Sequence, residues 1–293
     1  MTQSFIVTKE HRRFTEFANA VKKERTIGIC HGDAGVGKTN SARRYANWDT
    51  LQPFITAWGP RSEDDAKHYA LAHRSRTVFY TPEVLPRPRD LMGDISRWRV
   101  KVGICIDEHL RTIGKVTGVN TADTTRWVEL LIVDEAERLT PTALELLRDE
   151  HDRTHLAIIL IGMPGIDQRF RHYPQLYSRL GFSHRYRALG RDELLFVLDR
   201  HWTRLGRTLN PDDFTDAQAV AAIERITRGN FRLLERLFPR STASSRSTNS
   251  RQSPTTSSKP PPAYSSSGAD RRHRTITEHR HQASNSTNRP LKT

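Results

Sequence analysis

Eight consecutive residues, Gly32, Asp33, Ala34, Gly35, Val36, Gly37, Lys38 and Thr39, have the types and spacing needed to hold a chain of phosphates. Glycines let a loop aim successive backbone N–H groups at one point. A following helix adds its positive end, the lysine reaches the terminal phosphates, and the hydroxyl beside it ligates Mg²⁺. Such a site needs a second contribution, an apolar strand ending in acid. Leu130 to Val133, followed by Asp134 and Glu135, supplies it 95 residues after Thr39. Asp134 is placed to hold the Mg²⁺ shell, and Glu135 to orient and partly deprotonate an attacking water. Asp107 and Glu108, which close the run VGICI, form a rival pair. The later pair is preferred because a helix and another apolar strand follow it directly.

These residues need a scaffold that brings two loops together. A strand at Thr26 to Cys30, the glycine loop and a helix at Asn40 to Trp48 give the first half. Further strands are expected at Thr77 to Thr81, Val128 to Val133 and Leu156 to Ile161. Helices are expected at Arg87 to Arg99, with Leu91, Ile95 and Trp98 inward, and at Pro141 to His151, with Thr140 as its N-cap. This alternation predicts an α/β fold, a parallel sheet covered on both faces, in three layers. Ahead of it, Thr8 to Glu24 places Phe14, Phe17, Ala18 and Val21 on one helical face. After Leu189 the apolar period is helical only, at Asp192 to Leu205, Asp216 to Thr227 and Phe231 to Phe238, which predicts a small helical lid. The expected division is a helical segment at 1–25, a core at 26–190, a lid at 191–238 and a tail at 239–293.

The order of glycine loop, LLIVDEAERL, LAIILIGMP, YPQLYSRLGF and GNFRLLERL resembles the AAA+ P-loop ATPases, and within them the MuB/TniB-like ATPases of bacterial transposons, over about residues 10 to 238. The resemblance implies ATP and Mg²⁺ as cofactors, ATP hydrolysis, and a homo-oligomer on double-stranded DNA that marks target sites for a transposase. Lys38 and Thr39 match Walker A, and Asp134 and Glu135 match Walker B. Arg179 in YSR resembles an arginine finger directed at a neighbour's γ-phosphate, and Arg232 in GNFR resembles the sensor 2 arginine of the lid. The chain departs from the pattern at the end of the strand Leu156 to Ile161. Gly162, Met163 and Pro164 stand where a polar sensor 1 residue is expected. That departure favours a non-hydrolysing adaptor, whereas Glu135 favours an enzyme. An ExeA-like secretion ATPase is a further alternative on the same fold.

The formal charge is +14, of which residues 239–293 carry +8 and the rest +6, a moderately basic core compatible with an anionic partner. Basic and aromatic residues interleave from Arg169 to Arg191, and Arg97, Arg99 and Lys101 flank Trp98. Phosphate contact and ordinary charged faces both fit these groups. His151 and His155 beside Glu150 lack the HExxH order of a zinc site. Cys30 and Cys105 lie in apolar runs and behave as small hydrophobes, and no apolar run is long enough to cross a membrane, so a cytoplasmic chain is expected.

Hydrophobic residues make up 35% of the sequence and mean hydropathy is −0.67, which is low for a fully packed chain. The deficit lies after Phe238, in a Ser-, Thr-, Pro- and Arg-rich stretch expected to be disordered. That composition fits a basic DNA-binding arm. It also fits a GC-rich gene read in a shifted frame, since permitted codons for Pro239 to Pro261, regrouped by one base, yield an acidic amphipathic helix pattern.

Overall fold

A computed structural model describes residues 5–57, 59, 62–84, 87–117, 123–204, 206, 208–210 and 213–238. The expectations for the tail after Phe238 lie outside the described residues. The sheet has five parallel strands, β1 (Ile27–His31), β2 (Thr77–Tyr80), β3 (Leu130–Val133), β4 (Ala157–Gly162) and β5 (Leu180–Arg185), in the order β2-β3-β4-β1-β5. β2, β3 and β4 are buried along their whole length and are built mainly of aliphatic and aromatic residues, as a sheet covered on both faces demands. Register pairs Ile29 of β1 with Leu160 of β4, and Val133 of β3 with the same Leu160. The carboxyl ends of β1, β3 and β4 therefore open side by side, where open parallel sheets bind their ligands.

The covering helices are α1 (Lys9–Glu24), α2 (Lys38–Tyr45), α3 (Trp48–Thr56), α4 (Ala66–Ser75), α5 (Pro88–Thr112), α6 (Pro141–Thr154), α7 (Ile166–Arg171) and α8 (Pro174–Tyr177). Phe14, Phe17, Ala18 and Val21 of α1 are buried, as their spacing predicts. Thr8 caps α1 through the His11 N–H, and Thr140 caps α6 through the Ala143 N–H at 3.2 Å. The lid consists of α9 (Arg191–Arg204), α10 (Phe214–Thr227) and α11 (Phe231–Leu237), closed on a small core of its own around Leu194, Val197, Leu198 and Leu234. The start of α1 spans the joint between core and lid. The Lys9 N–H donates to Glu193 of α9 at 2.7 Å, and the buried Glu10 accepts from the Arg187 N–H at 3.2 Å.

One expectation is corrected and two open alternatives are decided. The helix expected at Asn40 to Trp48 ends at Tyr45, because Asn47 takes a left-handed conformation and starts α3. The rival acidic pair Asp107 and Glu108 closes no strand. Both lie on α5, which runs to Thr112 and buries Val102, Cys105, Ile106 and Leu110 at helical spacing. The basic group around Trp98 is committed within the fold: Arg99 pairs with Glu150, Arg97 with Asp94 at 3.0 Å, and Lys101 donates to the Ile55 carbonyl at 2.9 Å.

Candidate nucleotide-binding site

The loop between β1 and α2 holds the conformation its glycines permit, with φ of +79° at Gly35 and +112° at Gly37. Gly37 is the N-cap of α2 and provides no side-chain cap, so the first N–H groups of the helix point into the loop without a side-chain acceptor. Ala34, Gly35, Gly37, Lys38 and Thr39 line a cavity of about 240 Å³ together with Asp134, Glu135, Gly162 and Arg232. Val36 is buried and turns away into a narrow apolar slot bounded by Ile6, Tyr186, Leu189 and Phe231. Gly32 and Asp33 border a second opening on the β5 side. Five of the eight loop residues thus face the polar cavity beside Asp134 and Glu135, Val36 packs inward, and Gly32 and Asp33 face the β5 side.

Lys38 is buried, and its ammonium donates to the carbonyls of Gly32 at 2.5 Å and Asp33 at 2.8 Å. Burial holds its pKa below the usual lysine range, opposed by the Cys30 thiol, Asp134 and Glu137. Thr39 donates from its hydroxyl to Asp134 Oδ2 at 2.7 Å, linking the start of α2 to the end of β3. Burial pushes the Asp134 carboxyl above its ordinary value, while the Thr39 hydroxyl and the Glu135 N–H, at 3.0 Å from Oδ1, work against that rise. A desolvated carboxylate beside a hydroxyl is an oxygen donor pair suited to Mg²⁺. The residues fit the group: Thr39 and Asp134 would hold Mg²⁺, which supplies charge neutralisation on the β- and γ-phosphate oxygens when bound.

Glu135 follows directly, in a left-handed conformation at φ 50°. Its carboxylate pairs with Arg138 three residues on, and Arg138 also donates to the Pro82 carbonyl beyond β2 at 2.7 Å. The lid closes the other side. Asn230, the N-cap of α11, donates from Nδ2 to the Ala34 carbonyl at 2.7 Å, and the Arg232 N–H donates to the Gly35 carbonyl at 2.9 Å. Arg232 and Glu235 thereby face the cavity from the first turns of α11. The sequence signals Arg232 but not the roles of Asn230 and Arg138; the Asn in GNFR was the available clue, as a residue type favoured at N-caps.

Arg179 lies at the opposite end of the sheet, just before β5, and does not line this cavity. Its guanidinium makes two hydrogen bonds to Asp152 of α6, at 3.1 and 2.9 Å, and holds the Asp152 carboxyl below the usual carboxylate range. Of the basic and aromatic residues from Arg169 to Arg191, Phe170 and Tyr186 are core, Arg169 is bonded to the carbonyls of Glu137 and Leu139, and Tyr177 and Phe182 are exposed. His151 is buried, with Nδ1 2.8 Å from the Leu156 carbonyl, and no group of three or more metal-binding side chains occurs among the described residues. No helix among the described residues is long and apolar enough to cross a membrane.

A family model described as an AAA domain matches residues 21–170. A Staphylococcus aureus protein described as a potential ATP-binding protein is 39% identical over 243 residues, which cover 80% of this chain and 87% of that protein. Among solved structures, the Thermotoga maritima RuvB Holliday junction branch migration motor is similar at 18% identity and a TM-score of 0.45, over 80% of this chain and 61% of that one. The Aeropyrum pernix ORC1 protein in complex with DNA is similar at 17% identity and a TM-score of 0.43, over 78% and 58%. The chain spans about three fifths of the length of these two solved proteins. With Lys38, Thr39 and Asp134 gathered at one end of a parallel sheet, and with these matches in family and sequence, the chain belongs to the AAA domain family of P-loop ATPases.

Proposed function

We propose that the protein hydrolyses ATP, and that its nucleotide state governs assembly of a homo-oligomer on double-stranded DNA in transposition. The observation that carries hydrolysis is the meeting of Thr39 and Asp134 at 2.7 Å with Glu135 on the same cavity wall. In this reading the loop N–H groups and Lys38 bind the phosphates, Glu135 leaves Arg138 to accept a proton from the attacking water, and Arg232 contacts the phosphates from the lid. Arg179 would act on the neighbouring subunit's nucleotide after exchanging Asp152 for the γ-phosphate, since within its own chain it lies far round the sheet. The DNA and transposition part is supported by the sequence resemblance and by the +6 charge of residues 1–238.

A non-hydrolysing adaptor is favoured by one feature, the absence of a side chain at Gly162. ATP turnover, measured with and without double-stranded DNA at several salt concentrations, separates the readings. The expected result is turnover that DNA stimulates and salt suppresses, with Glu135→Gln binding ATP normally and hydrolysing it about 10²-fold more slowly. Tight ATP binding with no turnover under any condition would establish the adaptor instead.

A further inference from the structure

The end of β4 contributes only a backbone to the cavity wall, at Gly162, yet the space beside it is filled. A Cβ added to Gly162 would lie 2.9 Å from Glu137 Oε2 and would also run into the Ile166 side chain. Glu137 comes from the helical turn Ala136–Arg138 after β3, so a carboxylate from one strand's loop lies beside the position that a side chain from the next strand would take, a position that the Ile166 side chain closes from the other direction. The turn is well anchored. Ala136 is buried, and the Arg169 guanidinium donates to the carbonyls of Glu137 at 2.7 Å and Leu139 at 2.5 Å.

The two other carboxylates on this wall are engaged: Asp134 by Thr39, and Glu135 by Arg138. No ion pair engages Glu137 among the described residues, and it lines the same cavity as Lys38, on whose charge it acts. We propose that Glu137 is a catalytic residue of ATP hydrolysis, accepting one hydrogen of the attacking water in place of the side chain that β4 lacks. The water oxygen bonds to the γ-phosphorus as the bond to the β–γ bridging oxygen breaks. One water proton passes to Glu135 and then to the phosphate, while the other stays on the oxygen, held toward Glu137 until phosphate leaves. This role rests on the hydrolytic reading above.

The placement also has an electrostatic consequence that does not depend on turnover. Glu137 faces the cavity beside Lys38 with no ion-pair partner among the described residues, so a triphosphate entering without a divalent cation meets its negative charge. Two variants and two measurements test the assignment. Glu137→Ala is expected to lower kcat at least about 10-fold with KM for Mg-ATP changed by no more than about threefold, since orientation of the water is lost and ground-state binding is not. Glu137→Gln, whose amide oxygen still accepts a hydrogen, is expected to stay within about threefold of wild-type kcat. Titration with a fluorescent ATP analogue in EDTA is expected to show both variants binding about fivefold or more tightly than wild type. A Glu137→Ala enzyme with wild-type kcat, or one that loses KM rather than kcat, overturns the catalytic role. Unchanged metal-free affinity in both variants overturns the placement of the carboxylate beside the phosphates. A wild-type protein without turnover defeats the hydrolytic reading and this catalytic role together, whereas the metal-free titration still reports on the placement alone.

Discussion

Replacing Asn230 with alanine tests whether the lid is fastened to the phosphate loop by the contacts that the structure displays. The substitution removes the bond from Nδ2 to the Ala34 carbonyl at 2.7 Å, and the cap from the side-chain oxygen to the Leu233 N–H at 3.3 Å. An Asn N-cap replaced by Ala costs about 1 kcal/mol, and a lost side-chain hydrogen bond at a solvated site costs about 0.5–1.5 kcal/mol. Together about 2 kcal/mol is withdrawn from the docked lid, leaving the Arg232 N–H bond to the Gly35 carbonyl as its remaining backbone tie to the loop. If Arg232 and Phe231 contact nucleotide only when the lid is docked, apparent affinity falls with the docked fraction, by up to about 30-fold. The assay is titration of Asn230→Ala with a fluorescent ATP analogue, beside Asn230→Asp. The aspartate retains the cap oxygen but points an acceptor at the Ala34 carbonyl, so it separates helix capping from loop fastening. Affinity within twofold of wild type for Asn230→Ala would refute the coupling. Wild-type affinity for Asn230→Asp would reduce Asn230 to a helix cap.

Burial raises the Asp134 carboxyl above its unfolded value, so its contribution to stability is present in full below the unfolded pKa and is lost as pH rises through the folded one. At neutral pH Asp134→Asn is therefore expected to raise the melting temperature of the nucleotide-free protein, by roughly 2–4 °C if about 1 kcal/mol is recovered, while Mg²⁺-dependent ATP affinity is lost; a lower melting temperature at pH 7 would contradict the sign. Residues 239–293 are rich in Ser, Thr, Pro and Arg and nearly lack large apolar residues, unlike residues 26–238, and we propose that they are read from a shifted frame. The nucleotide sequence around codon 239 checks this: a shifted frame that continues the lid with amphipathic helix is expected, and an early stop or a frame without apolar periodicity would leave the tail as a basic arm.

What the sequence disclosed depended on how local each cause is. The phosphate loop and the acidic end of β3 were legible because their chemistry is written in consecutive residues, and the burial of β3 and β4 because aliphatic runs bounded by turns admit little else. α5 was cut short because VGICI is too brief to distinguish a buried strand from one face of a helix, and only the packing of Val102, Cys105, Ile106 and Leu110 decides it. β5 escaped notice for the opposite reason: as an edge strand it has no buried residue, and LGFSHR offers only Leu180 and Phe182 as apolar positions. The side chains around the cavity show the same limit in chemical form. Asn230 reaches across 196 residues to Ala34, so its sequence neighbours reveal a cap and not a latch. Gly162 shows in the sequence that a polar side chain is missing, but not whether the site does without one. Only when β3 and β4 lie side by side does the carboxylate of Glu137 come to rest beside the gap, and a reading confined to the strand's own residues would take that gap for a loss of function.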